Sequence, residues 1–210
     1  MNENIYLHAV SNGGSKDFDL KSQLKSLKSS LELGSLLSAR MKGYTEGKNF
    51  SGLDYISLCD YSKRNIGREN RPNYNAYNAY IINSISFGFD KSNLDVIIPT
   101  LVDISSDNKE GFNNMKFLGM QIERYSDLPD EVQVKDKISL DKLDLITFPV
   151  NEFLESKLYF TKSGEIKLLK KQIEEIDRVL IEYGYYVPVY DIDSKYELTE
   201  QNIEKLILKK

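Results

Sequence analysis

Three residues of this chain carry side chains whose chemistry could be combined: His8, Tyr55 and Glu131. His8 is the only histidine and lies inside the apolar run Ile5-Tyr6-Leu7-His8-Ala9-Val10. Tyr55 lies in Gly52-Leu53-Asp54-Tyr55-Ile56-Ser57-Leu58-Cys59-Asp60-Tyr61-Ser62-Lys63. Glu131 heads Glu131-Val132-Gln133-Val134 after Pro129-Asp130. An imidazole can hydrogen-bond, an aromatic ring can stack, and a fixed carboxylate can stabilise developing positive charge. Each residue alone has a plainer reading: a core histidine, an ordinary strand tyrosine and a solvated acid. Their order, each on or at the head of a strand, makes them a candidate set. Cys59 is the single cysteine and reads as a small buried residue, so no intrachain disulfide forms. One His and one Cys fall short of a structural zinc site, which wants four such ligands.

The elements that must position these residues are legible from periodicity. Ile5 to Val10 reads as a buried strand, broken by Ser11-Asn12-Gly13-Gly14-Ser15. Leu20, Leu24, Leu27 and Leu31 recur at helical spacing and predict an amphipathic helix stopped near Gly34. Met41 to Gly52 reads as a loop and Leu53 to Cys59 as a strand. Asp60 to Tyr74 is polar, with Gly67 and Pro72, and reads as a loop or a short helix plus loop. Tyr80 to Phe89, Leu94 to Ile104 and Met115 to Arg124 are strand-rich in β-branched and aromatic residues. Short strands are expected at Val132–Val134 and Leu145–Phe148, around a polar linker from Lys135 to Lys142. Ile166, Leu169, Ile173, Ile176, Leu180 and Tyr183 predict the clearest helix, stopped by Gly184. Tyr185 to Ile192 reads as a strand, placed at an edge by Pro188. Thr199 is expected to cap a last helix, Glu200 to Leu208. Because most strand runs lack crossover helices between them, the forecast is one α+β domain over 1–210 with mainly antiparallel strands. Residues 151–210 form its C-terminal helix–strand–helix elaboration.

The bulk composition narrows the classes of function. The 210 residues are 40% hydrophobic and 29% charged, enough for a core in one domain. No apolar run is long enough to span a membrane. The start of the chain has no basic region before its apolar stretch, so a cleaved secretory signal is not expected. A cytoplasmic protein, or one exported without a cleaved signal, fits this pattern. A net charge of -4 and a pI near 5.2 give no general electrostatic footprint for nucleic acid. Abundant Tyr, Lys, Asn, Ile and Ser with no Trp look like an AT-rich bacterial coding bias.

At the level of motifs, roughly from residue 5 to 148, the sequence resembles the ADP-ribosyltransferase family. The resemblance is to the His-Tyr-Glu branch that includes poly(ADP-ribose) polymerase catalytic domains. The family's first motif is a strand with His-Gly-Thr or His-Gly-Ser, then a helix and a phrase like ILxxGLLS. Here these are Tyr6-Leu7-His8-Ala9-Val10-Ser11, the leucine helix and Leu33-Gly34-Ser35-Leu36-Leu37-Ser38. The second, GxxYFADxxSKS, is matched by the segment from Gly52 to Lys63. The third, a glutamate opening a strand as in EVVVxxxIxLxxI, is matched by Glu131 to Leu143.

The resemblance implies an ADP-ribosyltransferase-like split pair of small, mainly antiparallel sheets with flanking helices, and NAD as co-substrate without a metal. His8 would bind the adenosine-proximal sugar hydroxyls, and the Ala9 backbone would hold the nicotinamide carboxamide. Tyr55 would lie against the nicotinamide ring. Glu131 would be the catalytic residue, bonding the 2′-hydroxyl of the nicotinamide ribose and stabilising an oxocarbenium-like transition state. Tyr61 and Ser62, of the phrase matched to SKS, are further NAD-binding candidates; Tyr61, Tyr74 and Tyr77 compete as the second stacking tyrosine. Arg40 and Arg64 flank the first two motifs and could contact the pyrophosphate. Ala9 and Val10 replace the family's Gly and Thr. Arginine-modifying relatives usually carry a second glutamate where this chain has Gln133, so arginine is disfavoured as acceptor. The implied activity is mono-ADP-ribosyl transfer, with a protein acceptor ahead of a nucleic acid of the DarT kind. A catalytically decayed interaction domain is the remaining alternative, and a toxin, defence or effector role fits a transferase of this size.

Overall fold

The computed structural model describes residues 1, 4–10, 19–44, 54–63, 81, 84–96, 131–155 and 161–209. Eight strands occur among them: β1 Ile5–Ala9, β2 Ser35–Leu37, β3 Tyr55–Asp60, β4 Ser86–Asp90, β5 Glu131–Lys135, β6 Lys137–Ser139, β7 Leu145–Phe148 and β8 Val189–Asp191. Four α-helices accompany them: α1 Leu20–Leu33, α2 Val150–Glu155, α3 Lys162–Glu182 and α4 Glu200–Leu208. The architecture is mixed α+β. A six-stranded sheet runs in the order β5-β3-β1-β4-β7-β8, and β2 pairs with β6 in a small second sheet. Every pairing is antiparallel except β7 with β8.

The helices end where local chemistry ends them. The Asp19 side chain accepts from Ser22 N–H at the start of α1, and Gly34 closes it at φ 60, a left-handed conformation that favours glycine. Thr161 and Thr199 cap α3 and α4 in the same way as Asp19 caps α1. Gly184 follows α3 at φ 83. The leucine stripe of α1 and the apolar stripe of α3 are buried, as their periods require.

The sheet has two packed sides. Against α1 and α3 lie Ile56, Leu58, Phe87, Phe89, Val132, Val134, Ile146 and Phe148. Ile5, Leu7, Ala9, Cys59, Tyr61, Ile81, Leu145 and Ile192 make a smaller cluster, which holds the alternate positions of β1 and β3. Fully burying one such aliphatic or aromatic side chain contributes about 1.5–3 kcal/mol. Cys59 is buried, as its residue type suggested.

Several expected elements differ. The strand expected over Tyr80–Phe89 is shorter: Ile81 is helical, and β4 starts only at Ser86. Leu94, Asp95 and Val96 are not in a strand; 97–104 and the strand expected over 115–124 lie outside the described residues. The expected linker Lys135–Lys142 contains β6 and a short 3-10 turn over Leu140–Lys142. A polar composition concealed β6, because only Ile138 of its three residues is buried. β8 covers three residues of the expected Tyr185–Ile192, and it is the edge strand next to Pro188.

β5 and β6 are two halves of one bent strand. Asp136 between them has φ 60, which aspartate tolerates better than most residues. Its N–H donates to Asp54 O at 2.7 Å, and its carbonyl accepts from Ser38 N–H at 2.8 Å. One residue therefore joins the end of β5, the start of β3 and the turn after β2.

Candidate functional site

β1 is flanked by β3 and β4, and its hydrogen bonds decide what its end can do. Val10 N–H donates to Ile85 O at 2.9 Å, so Val10 turns its N–H toward β4. By alternation, Ala9 turns its N–H and C=O toward β3. From the other side, the bond between Asp136 N–H and Asp54 O sets the alternation of β3. It turns the backbone groups of Ile56 and Leu58 toward β5 and those of Ser57 and Cys59 toward β1. Ala9 would then face Ser57. Yet the β1–β3 ladder ends at the pair Leu7–Cys59. The Ser57 carbonyl is instead bonded by the His8 ring, with Nδ1 at 2.8 Å.

A carbonyl only accepts, so Nδ1 carries the proton and Nε2 is the acceptor of the ring. Burial lowers the His8 pKa to about 4; the Ser57 bond opposes that shift, and the nearby Lys42 charge adds to it. The imidazole is therefore neutral at physiological pH. It bridges β1 to β3 just past the last pair of their ladder, where the Ala9 backbone groups also point toward β3.

Tyr55 begins β3 and is half-buried, two residues before Ser57 and about 7 Å from it at ordinary strand rise. Glu131 begins β5 as the register partner of Cys59, which pairs in turn with Leu7. The three motif strands are thus immediate neighbours in the sheet. Their parities differ: positions 55 and 131 alternate with Ser57, Cys59 and Leu7, whereas position 8 alternates with Tyr6 and Leu58. By register, position 8 falls on the opposite parity of the sheet from positions 55 and 131.

The remaining candidates are engaged elsewhere. Tyr61 is buried, at 4% exposure, and its hydroxyl donates to Ile192 O at 2.9 Å. Lys195 Nζ stands 5.6 Å from its ring centroid. With its ring packed in the smaller core cluster, Tyr61 offers no open face for stacking, which corrects its expected place beside a ligand. Ser62 bonds Asp60 Oδ1 at 2.6 Å and accepts from Lys91 Nζ at 2.9 Å. Lys91 also pairs with Asp60 at 2.5 Å and lies 5.4 Å from the Tyr6 ring centroid. That knot sits at the end of β3 away from Tyr55. Arg40 forms a two-pronged pair with Asp54, with Nη2 to Oδ2 at 3.2 Å. The guanidinium holds the Asp54 carboxyl below the usual carboxylate range. Arg64, Tyr74 and Tyr77 lie outside the described residues.

Three groups that bear on the end of β1 have little or no signature in the sequence. The Ser57 carbonyl is a backbone atom with no signature in residue type. Lys42, close enough to act on His8, is an ordinary loop lysine in sequence. Gln23 lies among buried leucines of α1 at 5% exposure; a polar residue inside an apolar stripe is the one signal that could have pointed to it. Two groups near the motif strands are buried without a hydrogen-bond partner, Gln133 Nε2 and Thr147 Oγ1. Among the described residues no group of three or more His, Cys, Asp or Glu could hold a metal ion, and no helix is long and apolar enough to cross a membrane.

Comparison with known proteins yields no relative from which a role could be transferred: no family model, no curated protein and no solved structure matches the chain.

Proposed function

We propose that this chain is a mono-ADP-ribosyltransferase that uses NAD as co-substrate, releases nicotinamide and transfers ADP-ribose to a macromolecular acceptor. One observation carries the reading. The His8 ring takes the Ser57 carbonyl and the β1–β3 ladder ends before Ala9, whose N–H and C=O point toward β3 by strand alternation. An adjacent donor and acceptor of this kind match the two hydrogen-bonding groups of a primary carboxamide, and only backbone is required of residue 9. The Ala9 side chain is packed in the smaller core cluster.

The residues divide the reaction as follows. In this reading His8 contacts the sugar hydroxyls, and Tyr55 offers a ring for stacking. Glu131 opens the strand next to β3 and supplies negative charge as the bond between the ribose anomeric carbon and nicotinamide breaks. The bonding pair leaves with nicotinamide, and an acceptor nucleophile bonds the anomeric carbon from the opposite face, losing its proton. A protein acceptor fits a chain of net charge -4 better than a nucleic acid does. The parity difference between His8 and the positions of Tyr55 and Glu131 favours the second reading, a scaffold of this kind without transferase activity.

The deciding experiment is incubation with NAD labelled in its adenylate half, beside protein and oligonucleotide acceptors. Nicotinamide release and label transfer are expected from wild type and not from Glu131→Ala. Label on the oligonucleotide selects the nucleic-acid acceptor. NAD binding without turnover selects the inactive scaffold. No NAD binding by wild type at millimolar concentration overturns the proposal.

A further inference from the structure

β1 is released from both of its neighbours by side chains, one on each side. On the β3 side His8 takes the Ser57 carbonyl. On the β4 side the narrow pair between Val10 and Ile85 is half made. Val10 N–H donates to Ile85 O at 2.9 Å, but Ile85 N–H donates to Gln23 Oε1 at 2.6 Å. In an unbroken antiparallel ladder that N–H would return to the Val10 carbonyl. Gln23 reaches it from α1, 62 residues away in sequence, and the bond is buried. Ile85 is itself fully buried. The ladder therefore stops one residue past Ala9, at a point fixed by one amide side chain.

We infer that Gln23 is a positioning residue for the chain beside the Ala9 backbone: by capping Ile85 it sets where β1 leaves β4, and so fixes the path the backbone takes just past Ala9. The inference rests on the function proposed above and adds a residue that touches no reacting atom. Replacing Gln23 with an apolar side chain leaves the Ile85 N–H buried without its acceptor, and that N–H then has reason to recapture the Val10 carbonyl. The recapture extends the β1–β4 ladder and turns the backbone after Ala9. Ligands that use the Ala9 backbone lose affinity; ligands that lack the carboxamide do not.

The test compares NAD with ADP-ribose, which has no nicotinamide, by calorimetry on wild type, Gln23→Leu, Gln23→Asn and Gln23→Glu. Leu removes the acceptor, Asn withdraws it by one methylene, and Glu retains an acceptor oxygen in either protonation state. Expected for Leu and Asn is a rise in the NAD Kd of about tenfold or more, with ADP-ribose affinity held near wild type and faster exchange of the Ile85 amide. Glu recovers NAD affinity. If NAD and ADP-ribose weaken together, Gln23 is structural and the inference is wrong; unchanged NAD affinity in a folded Asn or Leu variant also overturns it. If wild type binds ADP-ribose but not NAD, or neither, the functional reading itself has failed, and that is seen before any variant is compared.

Discussion

His8 Nδ1 lies 2.8 Å from the Ser57 carbonyl oxygen, 49 residues away in sequence, at the place where the Ala9 N–H would otherwise pair. A side chain thus substitutes for a backbone partner and ends the β1–β3 ladder at Leu7–Cys59. Ser57 keeps its acceptor satisfied, as a buried carbonyl must.

The partly buried, bonded imidazole has a pH signature. Its pKa is about 4 folded against 6.5 unfolded. Above pH 6.5 both states are neutral and the full stability is present. Between the two values the unfolded chain binds a proton that the folded chain refuses, so stability falls as pH falls. The loss is complete below the folded value and amounts to at most about 3 kcal/mol. With one histidine in the chain, a single imidazole resonance in proton NMR reports it. Its shift is expected to stay flat from about pH 8 down to about pH 5.5, and His8→Gln is expected to remove this part of the acid sensitivity in urea unfolding. A midpoint near the ordinary histidine value contradicts this environment of the His8 ring.

The two tyrosines of the second motif separate into different roles. Tyr61→Phe removes one buried hydrogen bond, to Ile192, and is expected to cost about 1 kcal/mol in urea unfolding. Tyr55→Leu removes a half-buried ring at the start of β3. It is expected to weaken NAD about tenfold, or about 1.4 kcal/mol, with little loss of stability. NAD affinity that survives Tyr55→Leu, or Tyr61→Phe with unaltered stability, breaks this assignment.

Gly88 lies on β4 beside β1 in close packing. It pairs with Leu7 and Leu145, and a Cβ placed on it would stand 2.3 Å from Leu145 Cδ1, 2.7 Å from Leu145 Cγ and 3.3 Å from Ile5 Cγ2. Leu145 is itself buried and has little room to retreat. Gly88→Ala is expected to lower the unfolding free energy by about 1–3 kcal/mol through overpacking. An unchanged urea midpoint would show that Leu145 can move aside at no cost.

Sequence alone determined what local physics controls. The leucine period of α1, the stripe of α3, the caps Thr199 and Gly184 and the edge position signalled by Pro188 all stand in the structure, because each depends on residues within a turn or two. The short strands were harder. The three residues of β6 become a strand by pairing with Ser35–Leu37, about a hundred residues upstream. His8, Tyr55 and Glu131 could be nominated by residue type and order. The tertiary structure alone decided that their strands are adjacent, that His8 bonds Ser57, that Tyr61 is packed under Ile192 and that Arg40 is held by Asp54. Those outcomes depend on which backbone groups meet across the sheet. Register fixes that through contacts remote in sequence, and periodicity along one segment carries no record of it.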